Sequence, residues 1–369
     1  MTNGKEGYEA TSVDEGRCEN VEDDGAREGE NNGDRAQAQA KLGRNASEGN
    51  EAWRNAWGSS KSEKQFDRLA AEVMKTILIP AEDHDAMPAV LETARLVARR
   101  FDAYMEGFAV HPAAADFVAV DPLSSLTMTH IHDRDAEIER QARGLFEAFM
   151  AEHDVPRAPA RYLSHLPPEH ARAGNDVPQP ARFSWGWPWP AVQFDAFIGS
   201  HGRLFDLIVL GRPGRLPQNP RMAPLETALF ESGHPVLIAP PAPPKSLGRN
   251  ILVAWNGSTE QARTNAFALP LFREAERVTV LTVEGGMTPG PTGEEVALHL
   301  CMNGVRAQAV NVPPGARSTG ESILDHAASL GCDLLVKGAY TQSRLRQMVF
   351  GGTTRHILAH ATLPVLMAH

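Results

Sequence analysis

Four short apolar runs occur twice in this chain, in the same order, and this duplication limits the fold more than any other feature. TILIPA (Thr76 to Ala81) is answered by NILVAW (Asn250 to Trp255), FDLIVLG (Phe205 to Gly211) by DLLVKG (Asp333 to Gly338), and HPVLIA (His234 to Ala239) by LPVLMA (Leu363 to Ala368). YMEGFAV (Tyr104 to Val110) and RVTVLTV (Arg277 to Val283) complete the set. Runs this short and this apolar, bounded by polar residues, are the pattern of strands buried on both faces. Helical patterns separate them: one begins at Pro88, and others cover Asp133–Glu152, Val192–Arg203, Pro224–Ser232, Thr259–Glu276, Glu294–Met302 and Thr319–Leu330. Alternating strands and helices imply right-handed crossovers and a parallel sheet covered on both sides. Asp206 to Pro235 spans 29 positions and Asp333 to Pro364 spans 31, so the closing pairs keep their spacing. The chain is therefore expected to hold two tandem doubly wound, Rossmann-like α/β domains, at 74–240 and 250–369, joined by the stiff PPAPPKSLG linker.

Three stretches do not fit the repeat. Residues 1–73 are polar, with 10 Lys plus Arg against 16 Asp plus Glu, and few large apolar side chains. Such a segment cannot offset its chain entropy, and a disordered acidic tail is expected. His111 to Thr129 reads as a loop, followed by a third strand at Ala160 to Leu163. The Pro-rich insert at 167–190 resists both helix and central strand, and its Trp185, Trp187 and Trp189 are expected either to cap the core, the favoured reading, or to form a contact patch.

The formal charge of −10 over 369 residues, with no basic patch, argues against nucleic acid or an anionic membrane as partner. No apolar run approaches the roughly 18 residues a membrane span needs. Cys18, Cys301 and Cys332 show no CxxC spacing and read as free thiols, the last two buried and inert. A cytoplasmic location is the expectation. His130 and His132 alternate like metal ligands but lack a third in sequence, so no metal is expected. His356 and His360 share a helix face without a supporting Glu and are read as structural. Neither a GxSxG elbow nor a Walker loop is present, and no catalytic residue is assigned.

The organising stretch is the last one, from Asp333 to His369: strand, Arg-bearing loop, Gly351 and Gly352 with Thr353 and Thr354, helix, strand. That order presents backbone N–H groups to an anion at the carboxyl ends of parallel strands. Lys337, at the end of an apolar strand, either reaches such a site with its ammonium or snorkels away, the plainer reading being the second.

NILVAWNGSTEQARTNAFALP, ERVTVLTVE and above all GAYTQSRLRQMVFGGTTRHILAHATLPVLMAH resemble tandem universal stress proteins, strongly in the second half and moderately in the first. The resemblance implies five-stranded α/β domains, of which many in the family bind ATP or AMP, dimerise through the last strand and lack robust catalytic activity. Family members that bind ATP carry G-x2-G-x9-G-[S/T]. Here Gly338 and Gly351 match, Thr341 stands at the second glycine, and Gly352 precedes Thr353 and Thr354. Gly211 and Gly214 keep the first pair in the first half, but Pro224 and Leu225 replace the rest, so that site is degenerate. At the ends of the first strands, where the family often has an acidic residue for ribose or adenine, stand Glu82 and Asn256. The implied role is regulatory: an adenine nucleotide held by Asn256, Val283, Gly338, Gly351, Gly352, Thr353 and Thr354, ordering the loop from Tyr340 to Phe350. The alternative is a ligand-free scaffold that pairs through its last strands, within the chain or as a homodimer.

Overall fold

A computed structural model describes residues 74–111, 125–158, 182–339 (apart from 215, 217, 286 and 314) and 352–369, with only the backbone described at 125–132. The expected acidic tail, the third strand at Ala160 to Leu163 and most of the Pro-rich insert lie outside these residues.

The first half runs β1 (Thr76–Ala81), α1 (Met87–Phe101), β2 (Tyr104–His111), α2 (Ser125–Glu152), β3 (Ser184–Gly186), β4 (Gln193–Phe194), α3 (Asp195–His201), β5 (Leu207–Gly211), α4 (Met222–Glu231) and β6 (Val236–Ala239). The second runs β7 (Asn250–Trp255), α5 (Thr259–Glu274), β8 (Arg277–Val283), α6 (Gly293–Met302), β9 (Ala307–Val312), α7 (Thr319–Ser329), β10 (Leu334–Val336), α8 (Gly352–His360) and β11 (Val365–Met367). Strand order across the sheet is β3-β2-β1-β5-β6-β11-β10-β7-β8-β9, with β4 pairing β2 separately. Among the described residues the strands within each half pair in parallel. β6 pairs with β11 in the antiparallel sense, where Leu237 faces Leu366. Each half thus winds outward from its first strand in both directions, and the second is the mirror in order of the first.

One local device is used in both copies and explains part of the repeated sequence. Asp206 Oδ2, just before β5, accepts from the N–H groups of Lys75 (2.8 Å) and Thr76 (3.0 Å) at the start of β1. Asp333, just before β10, accepts from Arg249 (3.2 Å) and Asn250 (2.9 Å) at the start of β7. A carboxylate that ties two strand-opening amides fixes the register of neighbouring strands. The Asp of each "DL" pair is therefore a register pin. The halves also brace one another: Arg212, after β5, donates from Nη1 to the carbonyls of Ala359 (2.9 Å) and Ala361 (3.0 Å) at the end of α8. A guanidinium there meets the carbonyls that a helix terminus leaves unpaired.

Several sequence expectations are corrected. The helix expected from Asp133 begins at Ser125, inside the expected His111–Thr129 loop. The Val192–Arg203 helix is preceded by a two-residue strand, α3 itself is short, and a 3-10 turn over Gly202–Leu204 ends it. The Pro-rich insert does contain a strand, β3, which pairs with β2 on one side and bridges through Trp185 to Arg157 on the other, its three residues themselves free of proline. All three of its tryptophans pack on the core. Trp185 and Trp187 are buried against Phe146 of α2, with ring centroids 5.8 and 5.3 Å away, while Trp189 is half-buried. Gly107 makes room for this packing, because a Cβ there would sit 2.6 Å from the Phe146 ring. Cys301 is exposed, not buried, on α6. Cys332 is half-buried, and burial pushes its thiol up to about 11. Among the described residues no helix is long and apolar enough to cross a membrane.

Candidate functional site

In each half the chain leaves its first strand in one direction and returns on the other side, which places a crevice at the carboxyl ends of β7 and β10 in the second half, and of β1 and β5 in the first. The second crevice is an open cleft of about 130 Å³. Ala254, Trp255 and Asn256 line it from the end of β7, Leu281 and Val283 from β8, and Lys337 from just past β10. Thr319 and Ile323 enter from α7, and Gly352, Thr353 and Thr354 from the first turn of α8. Of the site residues expected from sequence, Asn256, Val283, Gly352, Thr353 and Thr354 meet in this one cleft. Gly351 lies outside the described residues, as does the loop from Tyr340 to Phe350.

Gly338 has a different place. Its N–H donates to Gln261 Oε1 at 2.6 Å, and a Cβ would lie 2.5 Å from the Gln261 backbone nitrogen. Gly338 is thus fixed by the need to pack β10 against the first turn of α5, and its amide is turned inward. Gln261, which sequence reading did not single out, is 1 % exposed and also donates to Asn265 Oδ1 at 2.9 Å.

Asn256 accepts from the Ser258 N–H at 3.2 Å, a tight turn that leads into α5. This leaves its amide NH2 as a donor facing no acceptor among the described residues. Ser258 caps α5 by accepting from Gln261 N–H at 3.2 Å. At the opposite wall the start of α8 carries the unpaired N–H groups and positive dipole end of a helix, beside two hydroxyls.

Lys337 does not snorkel. It is 9 % exposed, and its Nζ donates to Gly338 O (2.8 Å) and to Thr354 Oγ1 (3.0 Å). Burial holds its ammonium down to about 8. The sequence carried the signal, a lysine as the last residue of an apolar run before a glycine, but the run's own apolarity favoured the snorkelling interpretation.

In the first half the matching crevice is filled by side chains. Arg221, which precedes α4, donates from Nε to Glu82 Oε1 at 2.6 Å and through both terminal nitrogens to Asp195 at 2.8 and 2.7 Å. Glu82 ends β1 as Asn256 ends β7, and Asp195 opens α3 as Thr319 opens α7. Burial pushes the Glu82 carboxyl up, against the pull of Arg221. The bidentate fork to Asp195 is a geometry that guanidinium makes well. Deeper in the same half, Glu106 accepts from Tyr104 Oη at 3.0 Å and lies 2.7 Å from His201 Nε2. His201 is packed between Phe197, stacked at 4.7 Å, and Phe205, edge-on at 5.1 Å.

Other candidates separate from the cleft. His356 and His360 stack at 4.3 Å on α8, with His360 Nδ1 2.9 Å from the His356 carbonyl. The side chains of His130 and His132 lie outside those described. Among the described residues no three metal-ligating side chains come together.

Comparison with known proteins points one way. Residues 308–369 match the model of the universal stress protein family. The stress response protein NhaX of Bacillus subtilis (strain 168) is 36 % identical over 47 residues, which is 13 % of this chain and spans 28 % of that relative's length. A universal stress protein from Archaeoglobus fulgidus DSM 4304 superposes with a TM-score of 0.54 at 15 % identity, covering 81 % of this chain and 97 % of that one. A putative universal stress protein from Pseudomonas aeruginosa UCBPP-PA14 gives 0.44 at 15 % identity, over 81 % and 94 %. Residues 308–369 are thus similar in sequence to the universal stress protein family, and the two halves share the fold of the Archaeoglobus fulgidus protein.

Proposed function

We propose that the second half binds an adenine nucleotide, ATP or AMP, and that the protein serves a regulatory role in a cytoplasmic stress response without being an enzyme. The observation that carries this reading is the meeting of Asn256, Val283 and the Gly352–Thr354 turn around one cleft at the switch point of the sheet. Polar donors at one wall suit a base or sugar edge, and helix-start amides with hydroxyls at the other suit phosphate. The residues present fit such a ligand in kind, since the cleft combines apolar surface from Leu281, Val283 and Ile323 with these donors and one cation. The test is to denature the purified protein and identify released nucleotide by mass. It is paired with binding to Gly352→Asp, a site with open space around its Cα. The variant is expected to fold as the wild type does and to lose nucleotide at least tenfold by charge repulsion. No released nucleotide and no thermal shift at millimolar ATP or AMP defeats the reading.

A ligand-free scaffold is the second reading, and the β6–β11 junction favours it, since there the last strands of the two halves pair with each other. Absence of released nucleotide, together with no thermal shift at millimolar ATP or AMP, would speak for it.

A further inference from the structure

We propose that Lys337 and Thr354 form a phosphate-recognition pair that makes an anionic group the entry condition for this cleft, so that phosphorylated ligands bind and their unphosphorylated counterparts do not. The inference rests on the nucleotide reading for the identity of the ligand, though not for its charge. Among the described residues that line the cleft, Lys337 alone is ionisable. The charged groups on the surrounding helices face elsewhere: Glu321 turns to Ser318, Asp325 to Arg317, and Arg263 to the carbonyl of His369. Glu260, Arg355 and His356 do not line it either. Among the described residues this ammonium, withdrawn from water, has a carbonyl and a hydroxyl as its hydrogen-bond partners and no carboxylate to compensate it.

The first half is an internal control. Leu210 stands before Gly211 where Lys337 stands before Gly338, and the cation of that half is Arg221, which two carboxylates of the chain neutralise. One copy of the fold answers its half-buried cation from within, and the other presents a buried one to a cleft. Lys337 has three N–H donors and spends two on Gly338 and Thr354, so a third is left for a ligand oxygen. Thr354 Oγ1, accepting from Lys337, has its own proton to give. The helix start at Gly352–Thr354 adds dipole to the same point.

Burial keeps the free ammonium down at about 8, and a bound anion raises it again, so binding above that pH must take up a proton. The lysine's contribution to phosphate affinity is therefore expected to be level below pH 7 and to fall about tenfold per unit above pH 8, until the pKa of the bound form is reached. The experiment measures calorimetric binding of inorganic phosphate, AMP and adenosine to the full chain, stripped of ligand, as wild type, Lys337→Met and Thr354→Val. A melt of each variant confirms folding. Lys337→Met is expected to weaken phosphate and AMP by at least about tenfold, with the loss of a charge-assisted hydrogen bond, and to remove the pH dependence. Thr354→Val should weaken both anions less. Equal affinity of wild type for adenosine and AMP, no phosphate binding, or unchanged phosphate binding in Lys337→Met overturns the inference. If phosphate binds with this lysine dependence while AMP binds no tighter than phosphate, the recognition pair stands and the adenine-nucleotide reading falls.

Discussion

Replacing Lys337 by Met should make the ligand-free protein more stable at neutral pH while taking away its phosphate recognition. Burial moves the ammonium from 10.5 down to about 8, so holding the charge inside costs roughly 3 kcal/mol relative to the neutral amine, at about 1.36 kcal/mol per unit. Met has a similar length and no charge to desolvate. It loses the hydrogen bonds to Gly338 O and Thr354 Oγ1, at about 1 kcal/mol each. The net expectation is a gain on the order of 1 kcal/mol at pH 7. The pH dependence is the sharper quantity. Between 8 and 10.5 the unfolded chain still holds the lysine proton while the native protein has released it, so wild-type stability rises with pH across that window. By pH 9.5 this contribution amounts to about 2 kcal/mol over its value at pH 7. Urea unfolding of both proteins at pH 7 and 9.5, in a buffer free of phosphate, reads the difference directly. The advantage of the Met variant should shrink or reverse as the pH rises. A variant less stable by more than about 1 kcal/mol at pH 7, or a gap that ignores pH, would refute the claim that Lys337 is a buried, uncompensated cation.

Arg221→Met should cost roughly 2–4 kcal/mol at pH 8, because Glu82 and Asp195 are left as unpaired carboxylates in a crowded crevice. The loss should be smaller at pH 5, since burial pushes the Glu82 carboxyl up and protonation there relieves that charge first, and melting curves at the two pH values check it. Gly338→Ala should lower stability by roughly 1–3 kcal/mol, since the added methyl meets backbone of α5 and not a movable side chain. Urea titration checks that figure, and a loss below about 0.5 kcal/mol would mean the β10–α5 contact yields easily.

The duplicated architecture was legible in the sequence because buried parallel strands leave near-continuous apolar runs, and four such runs came twice. Boundaries were legible where a strong local signal exists, such as the Ser258 cap of α5. They failed where tertiary context decides: Ser125 to Thr129 carries polar residues that read as loop, yet it begins α2, and Ser184–Gly186, a proline-free triplet in the insert, becomes a strand by pairing with β2 and bridging to Arg157. Of the cleft, the residues at the strand ends and at the helix start were those that the resemblance to universal stress proteins implied. Lys337 could not, because one lysine at a strand end is compatible with either direction of its side chain. The Arg221 clamp was equally hidden, since Glu82, Asp195 and Arg221 lie far apart in sequence and come together only through the fold. Gly338 looked like a phosphate-loop glycine, whereas its N–H is held by Gln261.

The antiparallel seam between β6 and β11 places an approximate two-fold relation inside a single polypeptide. In an assembly of identical subunits every substitution is made twice, and a clamp that closes one crevice closes both. Covalent fusion lifts that constraint. One copy can keep its crevice permanently shut by its own side chains and act as a rigid buttress, while its twin tolerates the cost of a naked positive charge, leaning for support on a neighbour that never opens.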